Sequence, residues 1–150
     1  MSIWIYILVG VLTFAIMECI AWLSHKYIMH GFLWNWHKDH HKKNHDSWFE
    51  RNDLFFVVYA VVCIGFCLLW RFDILQIGLA IGIGIFCYGF TYFVVHDIFI
   101  HQRFKIFRNA NNRYAKAVRR AHKMHHKHLG KEHGECFGML FVPFKYFRSK

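Results

Sequence analysis

Histidines at repeated spacings are the residues of this chain best suited to chemistry. Ten of its 13 histidines form two copies of one pattern, in which a His-x4-His pair precedes a His-x2-His-His triplet. The first copy comprises His25, His30, His37, His40 and His41, and the second comprises His96, His101, His122, His125 and His126. Neutral imidazole binds iron, zinc, copper and nickel. The repetition therefore predicts a histidine-built metal centre that holds more than one ion.

The spacing within each triplet matches the geometry of an α-helix. His37 and His41 are one helical turn apart and His40 lies on the same side, so all three side chains can point into one cavity. Adjacent His40 and His41 still diverge by about 100° around the helix axis, which lets them serve two neighbouring ions. The second triplet lies in residues 111–128, where apolar residues recur at helical spacing. We predict a helix there.

The remaining candidate ligands are few. Carboxylates, which dominate soluble di-iron bundles, are sparse here, so histidine must supply most of the ligands. The five cysteines form no Cys-x2-Cys pair and are expected to be small packing residues without disulfides. His45 is a candidate to assist the site, whereas His128 and His133 are expected to be exposed to solvent.

Three apolar runs must position these histidines. Residues 3–23, 54–70 and 74–95 each approach the roughly 20 residues that cross a bilayer as a helix. The last two form a helical hairpin around residues 71–73. A fourth run, residues 137–147, contains Pro143 and Lys145 and is too short to cross, so it is expected at the interface or packed against the site. The expected fold is all-α and integral to the membrane, one domain over residues 1–150 with three or four transmembrane helices and a helical cap around the metal site.

The basic charge gives an orientation for these helices. The formal net charge is +10, and of the 19 Lys and Arg residues five lie between residues 25 and 53, one lies in the hairpin turn and 13 follow residue 96. The positive-inside rule places both basic segments in the cytoplasm and the amino terminus outside. All histidine motifs then lie on the cytoplasmic face. The first run lacks the basic start of a signal peptide and is expected to stay attached. Membrane spans also argue against nucleic acid as a partner.

Three acidic residues are candidates to support the histidines. Glu18 lies within the first span and seven residues before His25, hence nearly on the same helical face. Because an acid is costly inside a membrane, we expect it to bond a histidine or carry protons, the alternative being a side chain that reaches to the interface. Asp39 and Asp97 are further candidates to orient histidines. Asn52 and Asp53 are expected to cap the second span or fix its preceding loop.

Five segments in and around the histidine motifs form a characteristic set, namely MECIAWLSHKYIMHG at residues 17–31, WHKDHH at 36–41, FERND at 49–53, HD-x3-HQR at 96–103 and AHKMHH at 121–126. These segments resemble bacterial β-carotene 3-hydroxylases, members of the fatty acid hydroxylase superfamily of membrane di-iron enzymes. The four histidine motifs are shared across the superfamily. The sequence around His25 and the His96-Asp97 pair are more specific to the carotenoid branch, and the resemblance extends over essentially the whole chain.

The resemblance implies an oxygenase that inserts one oxygen atom from O2 at carbon 3 of each β-ionone ring. β-Carotene would become zeaxanthin through β-cryptoxanthin, in a bacterial inner membrane. The ten histidines would be ligands or near-ligands of two iron ions. Electrons would come from reduced ferredoxin and its reductase, ultimately from NAD(P)H. Seven basic residues that follow the third span could dock an acidic ferredoxin or contact anionic lipid: Arg103, Lys105, Arg108, Arg113, Lys116, Arg119 and Arg120.

Two other functions fit the same motifs. A hydroxylase or desaturase of fatty acyl or sterol chains would use the same metal ligands. A membrane transporter or store of metal ions belongs to a different class, and two features argue against it. The histidines cluster on one face of the membrane, and no span carries a series of polar ligands across the bilayer.

Overall fold

A computed structural model describes residues 2–42 and 46–148, and the chain is entirely helix and loop over those ranges. The elements in chain order are α1 (Ile3–Leu23), a first π-helical segment (Ser24–Phe32), α2 (Trp34–His41), a 3₁₀ turn (Arg51–Asp53), α3 (Leu54–Arg71), α4 (Gly78–Tyr92), a second π-helical segment (Phe93–Ile100), α5 (Arg113–Lys127) and a last 3₁₀ turn (Phe144–Phe147). The predicted helix over residues 111–128 corresponds to α5. His45 lies outside the described residues.

Three helical stretches are long and apolar enough to cross a membrane, namely Ile3–Phe32, which is kinked at Gly31, Arg51–Arg71 and Gly78–Ile100. Large apolar side chains such as Leu12, Val61 and Phe86 are exposed on their outer surfaces, as expected for contact with lipid. The prediction of an all-α membrane protein with three spans is confirmed. The predicted start of the third span at residue 74 was four residues too early, because the chain turns after α3 and Asp73 adopts the left-handed conformation with φ 56°.

The middle of the bundle is α4, which packs closely on both α1 and α3. A Cβ atom at Gly84 would lie 2.6 Å from Thr13 Cβ of α1, and one at Gly82 would lie 2.6 Å from Cys67 Sγ of α3. A side chain at Gly84 would force α1 away, and one at Gly82 would require the Cys67 side chain to move, so glycine allows both helices to approach α4. The three helices enclose an apolar core around Met17, Ile85 and Tyr88.

The segment after α5 folds back onto α1. On α5, Ala117 and Ala121 pack with Tyr146 in a second apolar cluster. Between them, the chain approaches the first span, where Glu18 Oε1 accepts hydrogen bonds from the backbone N–H groups of Met139, Leu140 and Phe141. The fourth apolar run of the sequence is therefore not a span. It is a loop that packs against α1, and the same loop reaches the histidines.

Candidate metal centre

Both His-x4-His motifs coincide with the π-helical segments. In the second segment His101 N donates a 2.9 Å hydrogen bond to His96 O, the five-residue bond that defines a π-turn. Side chains five residues apart would point about 140° away from each other on an α-helix. The wider turn instead brings the ring centroids of His96 and His101 to 4.5 Å, and those of His25 and His30 to 5.3 Å. The π-helical turns therefore explain the spacing.

Nine of the ten predicted histidines form two groups, and within each group the candidate ligand nitrogens lie within 4.8 Å of one another. Group A consists of His25, His30, His37, His41 and His125, and group B consists of His40, His101, His122 and His126. The tenth, His96, adjoins group B, since its Nε2 lies 3.0 Å from His40 Nε2. The groups are neighbours, because the rings of His41 and His126 stack with centroids 4.5 Å apart. Adjacent His40 and His41 thus point into different groups.

Every ring of group A is oriented by a neutral acceptor at its Nδ1 atom. The pairs are His25 with Phe137 O at 3.0 Å, His30 with Lys131 O at 2.9 Å, His41 with His128 O at 3.1 Å, His125 with Glu135 O at 2.9 Å and His37 with Asn52 Oδ1 at 2.7 Å. A carbonyl oxygen only accepts, so Nδ1 carries the proton in each ring. Each Nε2 atom is then left with a free lone pair that points into the group.

Two rings at group B are oriented by carboxylates instead. Glu50 Oε2 lies 2.8 Å from His40 Nδ1, and Asp97 Oδ2 lies 3.3 Å from His96 Nδ1. Both carboxylates also contact Arg103, through Nη2 at 3.1 Å to Glu50 and through Nε at 3.2 Å to Asp97. Asp53 completes the network with two hydrogen bonds to the same guanidinium group. Carboxylate behind imidazole is a common arrangement at metal sites.

The inward nitrogens lie about as close together as nitrogens that share one bound cation. The Nε2 pairs are His25–His37 at 3.0 Å, His37–His41 at 3.1 Å, His30–His125 at 3.3 Å, His40–His96 at 3.0 Å and His101–His122 at 2.8 Å. Two lone pairs repel at such distances, whereas nitrogens bound to one ion at about 2.1 Å are separated by about 3.0–3.4 Å. His126 Nε2 is buried and has no hydrogen-bond partner among the described residues. The donor set therefore fits metal ions.

Burial keeps the imidazoles outside the spans neutral. Desolvation lowers the pKa of these rings, and repulsion from neighbouring histidines reinforces it for most of them. The pKa of His37, His40 and His122 lies well below 6.5. The pKa is about 4 for His41 and His101, about 3 for His125 and about 2 for His126. A pKa below neutral pH means that the ring is unprotonated there. These rings are therefore available as ligands at pH 7.

An apolar cavity between α1, α3 and α4 leads to group A. It has a volume of about 60 Å³, comparable with about two water molecules. Met17, Ala21 and Phe55 line its walls, and His25 and Asn52 lie at its end next to the histidines. The cavity lies among the three helices that are apolar enough to cross a membrane.

Comparison with known proteins identifies the family to which this chain is similar. A family model for fatty acid hydroxylases matches residues 10–146, almost the whole chain. The chain belongs to the fatty acid hydroxylase family. Curated relatives of this fatty acid hydroxylase include the β-carotene hydroxylases of Pantoea ananas, 42% identical over 85% of this chain and 71% of the relative, and of Paracoccus sp., 38% identical over 91% and 83%. That of Pseudescherichia vulneris is 38% identical over 90% and 76%. No solved structure matches the chain significantly.

The acidic residues of this hydroxylase take different roles from one another. Asp97 lies beside His96, as the sequence suggested. Asp39 Oδ2 accepts a hydrogen bond from Arg51 N at 2.8 Å, which fixes the loop before α3. Glu18 was expected to bond a histidine, and this prediction was wrong. The hydrogen bonds of the Glu18 carboxylate go to Tyr88 and to three backbone amides.

Two supporting side chains were missed in the sequence. Glu50 and Asn52 contact His40 and His37, although the sequence suggested only a capping or loop role for Asn52. Their signal was the FERND segment at residues 49–53, which resembles the family but contains no histidine. The carbonyl oxygens of residues 128–137 left no signal in the sequence, because every residue type has a backbone carbonyl group.

The basic residues suggested for docking divide into two sets. Arg103, Arg119 and Arg120 are half-buried and make internal bonds, Arg119 to the carbonyl oxygen of Ala110 and Arg120 to that of Tyr146. Their guanidinium groups are therefore committed to the fold. The exposed set consists of Lys105, Arg108, Arg113 and Lys116. His133 is exposed as expected, whereas His128 is half-buried and its carbonyl oxygen supports His41.

Proposed function

We propose that this fatty acid hydroxylase acts on carotenoids and inserts oxygen from O2 at carbon 3 of β-ionone rings. β-Carotene would be converted to zeaxanthin through β-cryptoxanthin. The observation that carries this substrate is the set of bacterial relatives, 36–42% identical over most of the chain, which are β-carotene hydroxylases. An apolar cavity that ends at His25 supports it, because a carotenoid is dissolved in the bilayer and must reach the site from there.

Two iron ions are the proposed cofactor. Group A would hold one, and group B with His96 would hold the other. Two reduced iron ions held there would supply the chemistry that uses O2 to attack an unactivated C–H bond. The chain holds the rings in the tautomer that presents Nε2, through acceptors such as Phe137 O and Asn52 Oδ1. Ten histidines without thiolate suit iron, and also zinc or nickel.

The cavity residues would bind and orient the ring. Its small volume means that a substituted six-membered ring enters only if lining side chains move, and Met17 and Met29 are flexible enough to do so. The apolar walls would exclude water from the histidines and leave the ring edge near His25. Tyr59 Oη lies 2.7 Å from Ser24 Oγ, and this hydrogen bond holds the first π-helical segment to α3 beside the cavity.

The proposed electron source is reduced ferredoxin, itself reduced through a reductase from NAD(P)H. An acidic protein would meet the exposed basic residues Lys105, Arg108, Arg113 and Lys116, which lie between the third span and the first turns of α5. The distribution of Lys and Arg supports a position of these residues and of both histidine groups on the cytoplasmic face, which we propose to be that of a bacterial inner membrane.

A pigment assay tests the proposal. The chain and its His125→Ala and His133→Ala variants are expressed in parallel in a bacterium that accumulates β-carotene. Extracted pigments are separated by chromatography and identified by mass spectrometry. We expect products with one and two added hydroxyl groups, each labelled when growth is under ¹⁸O2. His125→Ala should abolish them because His125 is fully buried in group A, whereas exposed His133→Ala should not.

The family description favours one alternative, a hydroxylase of fatty acyl chains. Unchanged β-carotene together with hydroxylated fatty acids that require His125 would support this alternative and reject the carotenoid substrate. The same extracts serve for both measurements, so expression and electron supply are identical in the comparison.

A further inference from the structure

The two histidine groups are supported by chemically different neighbours. In group A, all five rings donate from Nδ1 to neutral oxygens, four of them backbone carbonyls and one the Asn52 amide. At group B, His40 and His96 are backed by the carboxylates of Glu50 and Asp97. A carboxylate that accepts the Nδ1 proton makes imidazole a stronger ligand than a carbonyl does.

Arg103 connects both carboxylates in one rigid arrangement. Its Nη2 atom shares Glu50 Oε2 with His40, and its Nε atom binds the Asp97 oxygen that does not face His96. Its bidentate pair with Asp53 anchors the guanidinium group at the start of α3. The side chain is only 12% exposed, and the planar fork fixes the orientation of each carboxylate.

We propose that the two metal positions are inequivalent, that group B with His96 binds the tighter ion, and that Arg103 is the positioning residue that maintains this difference. The inference rests on the proposed metal centre but not on the substrate. Local charge supports it, since Glu50 and Asp97 contact His40 and His96 directly, and the network behind them joins three carboxylates to the one Arg103 guanidinium, which favours a nearby cation. The polar atoms that orient group A belong to neutral amides.

Exchange of the two kinds of support is the sharpest test. Glu50→Gln gives His40 a neutral partner, and Asn52→Asp gives His37 a carboxylate, both with little change of shape. The purified protein is loaded anaerobically with ⁵⁷Fe²⁺, iron is withdrawn by a graded chelator, and retained iron is counted and examined by Mössbauer spectroscopy. Asp73→Asn, in the turn at the opposite end of the bundle, is the control for loss of one carboxylate.

The wild-type protein should release two irons at different chelator concentrations and show two iron signals. Glu50→Gln should weaken the tighter ion about 10- to 100-fold and change only its signal. Asn52→Asp should strengthen the looser ion and change only the other signal. Arg103→Lys keeps the charge but not the fork, and should shift the same signal as Glu50→Gln.

Other outcomes overturn the inference. Release of both irons together, or equal effects of Glu50→Gln on both signals, would show that the positions are equivalent. If Glu50→Gln does not fold, the Asn52→Asp variant is the remaining test. An unchanged affinity for the more weakly bound iron in that variant rejects the proposal. Failure of the wild-type protein to retain any iron is a separate result that rejects the proposed iron centre itself.

Discussion

Tyr88 Oη donates a 2.7 Å hydrogen bond to Glu18 Oε2 within the membrane-spanning part of the bundle. The other carboxylate oxygen accepts three backbone N–H groups from residues 139–141. Glu18 therefore connects α1 and α4 to the loop whose carbonyl oxygens, Glu135 O and Phe137 O, orient His125 and His25. Through this loop, one buried acid can hold the rings of His125 and His25 in place.

Substitution of Glu18 should damage group A from a distance. Glu18→Ala removes the acceptor of three amides, and each buried donor left unpaired costs about 1–3 kcal/mol. We expect a lower unfolding temperature, loss of one of two irons and at least a tenfold fall in hydroxylation. Tyr88→Phe, which keeps the amide bonds, should cost about 0.5–1.5 kcal/mol. Exposed Cys19→Ala is the control, and full iron content in Glu18→Ala would contradict the prediction.

Gly84 should be intolerant of a side chain. A Cβ atom there would lie 2.6 Å from Thr13 Cβ and 2.7 Å from Gly10 O, so α1 and α4 must separate. We expect Gly84→Ala to destabilise the protein by about 1–3 kcal/mol in thermal unfolding in detergent. Gly65→Ala is the matched control, because nothing lies within 4 Å of its Cβ position. Equal unfolding temperatures for both variants would show that the helices are not in close contact.

Metal ions should stabilise the folded protein. In group A, facing Nε2 lone pairs at 3.0–3.3 Å repel when no ion is bound, and an ion converts the repulsion into ligation. Addition of Fe²⁺ at about 100 times its dissociation constant should add about 2.7 kcal/mol per site, seen as a higher unfolding temperature. His37→Ala removes a ring that faces two others and should reduce the rise, whereas His133→Ala should retain it.

A larger side chain in the cavity should block substrate without disturbing the metal. Ala21 lines the cavity between Met17 and His25. We expect Ala21→Phe to abolish conversion of β-carotene while iron content remains that of the wild type. Ala60→Phe, on the exposed surface of α3, adds the same bulk elsewhere and should remain active. Undiminished pigment conversion by Ala21→Phe would place the substrate outside this cavity.

Much of this architecture was readable from local patterns. The lengths of the apolar runs predicted three spans, because crossing a bilayer requires a minimum number of apolar residues. The triplet spacing indicated that His40 and His41 would diverge, and the structure places them in different groups because rotation per residue in a helix is fixed. Nine of the ten histidines that the repetition singled out lie in these two groups.

The support of these histidines depends on long-range packing instead. The carbonyl oxygens of Lys131 and Phe137 orient rings that lie 101 and 112 positions away in the chain, and that of Glu135 orients a ring 10 positions away. A backbone oxygen has no signature in the sequence. The basic side chain of Arg103 was read as surface charge, yet folding encloses it among three carboxylates. Spacing along one helix is a local property, whereas the partner of a buried polar atom is set by which segments pack together.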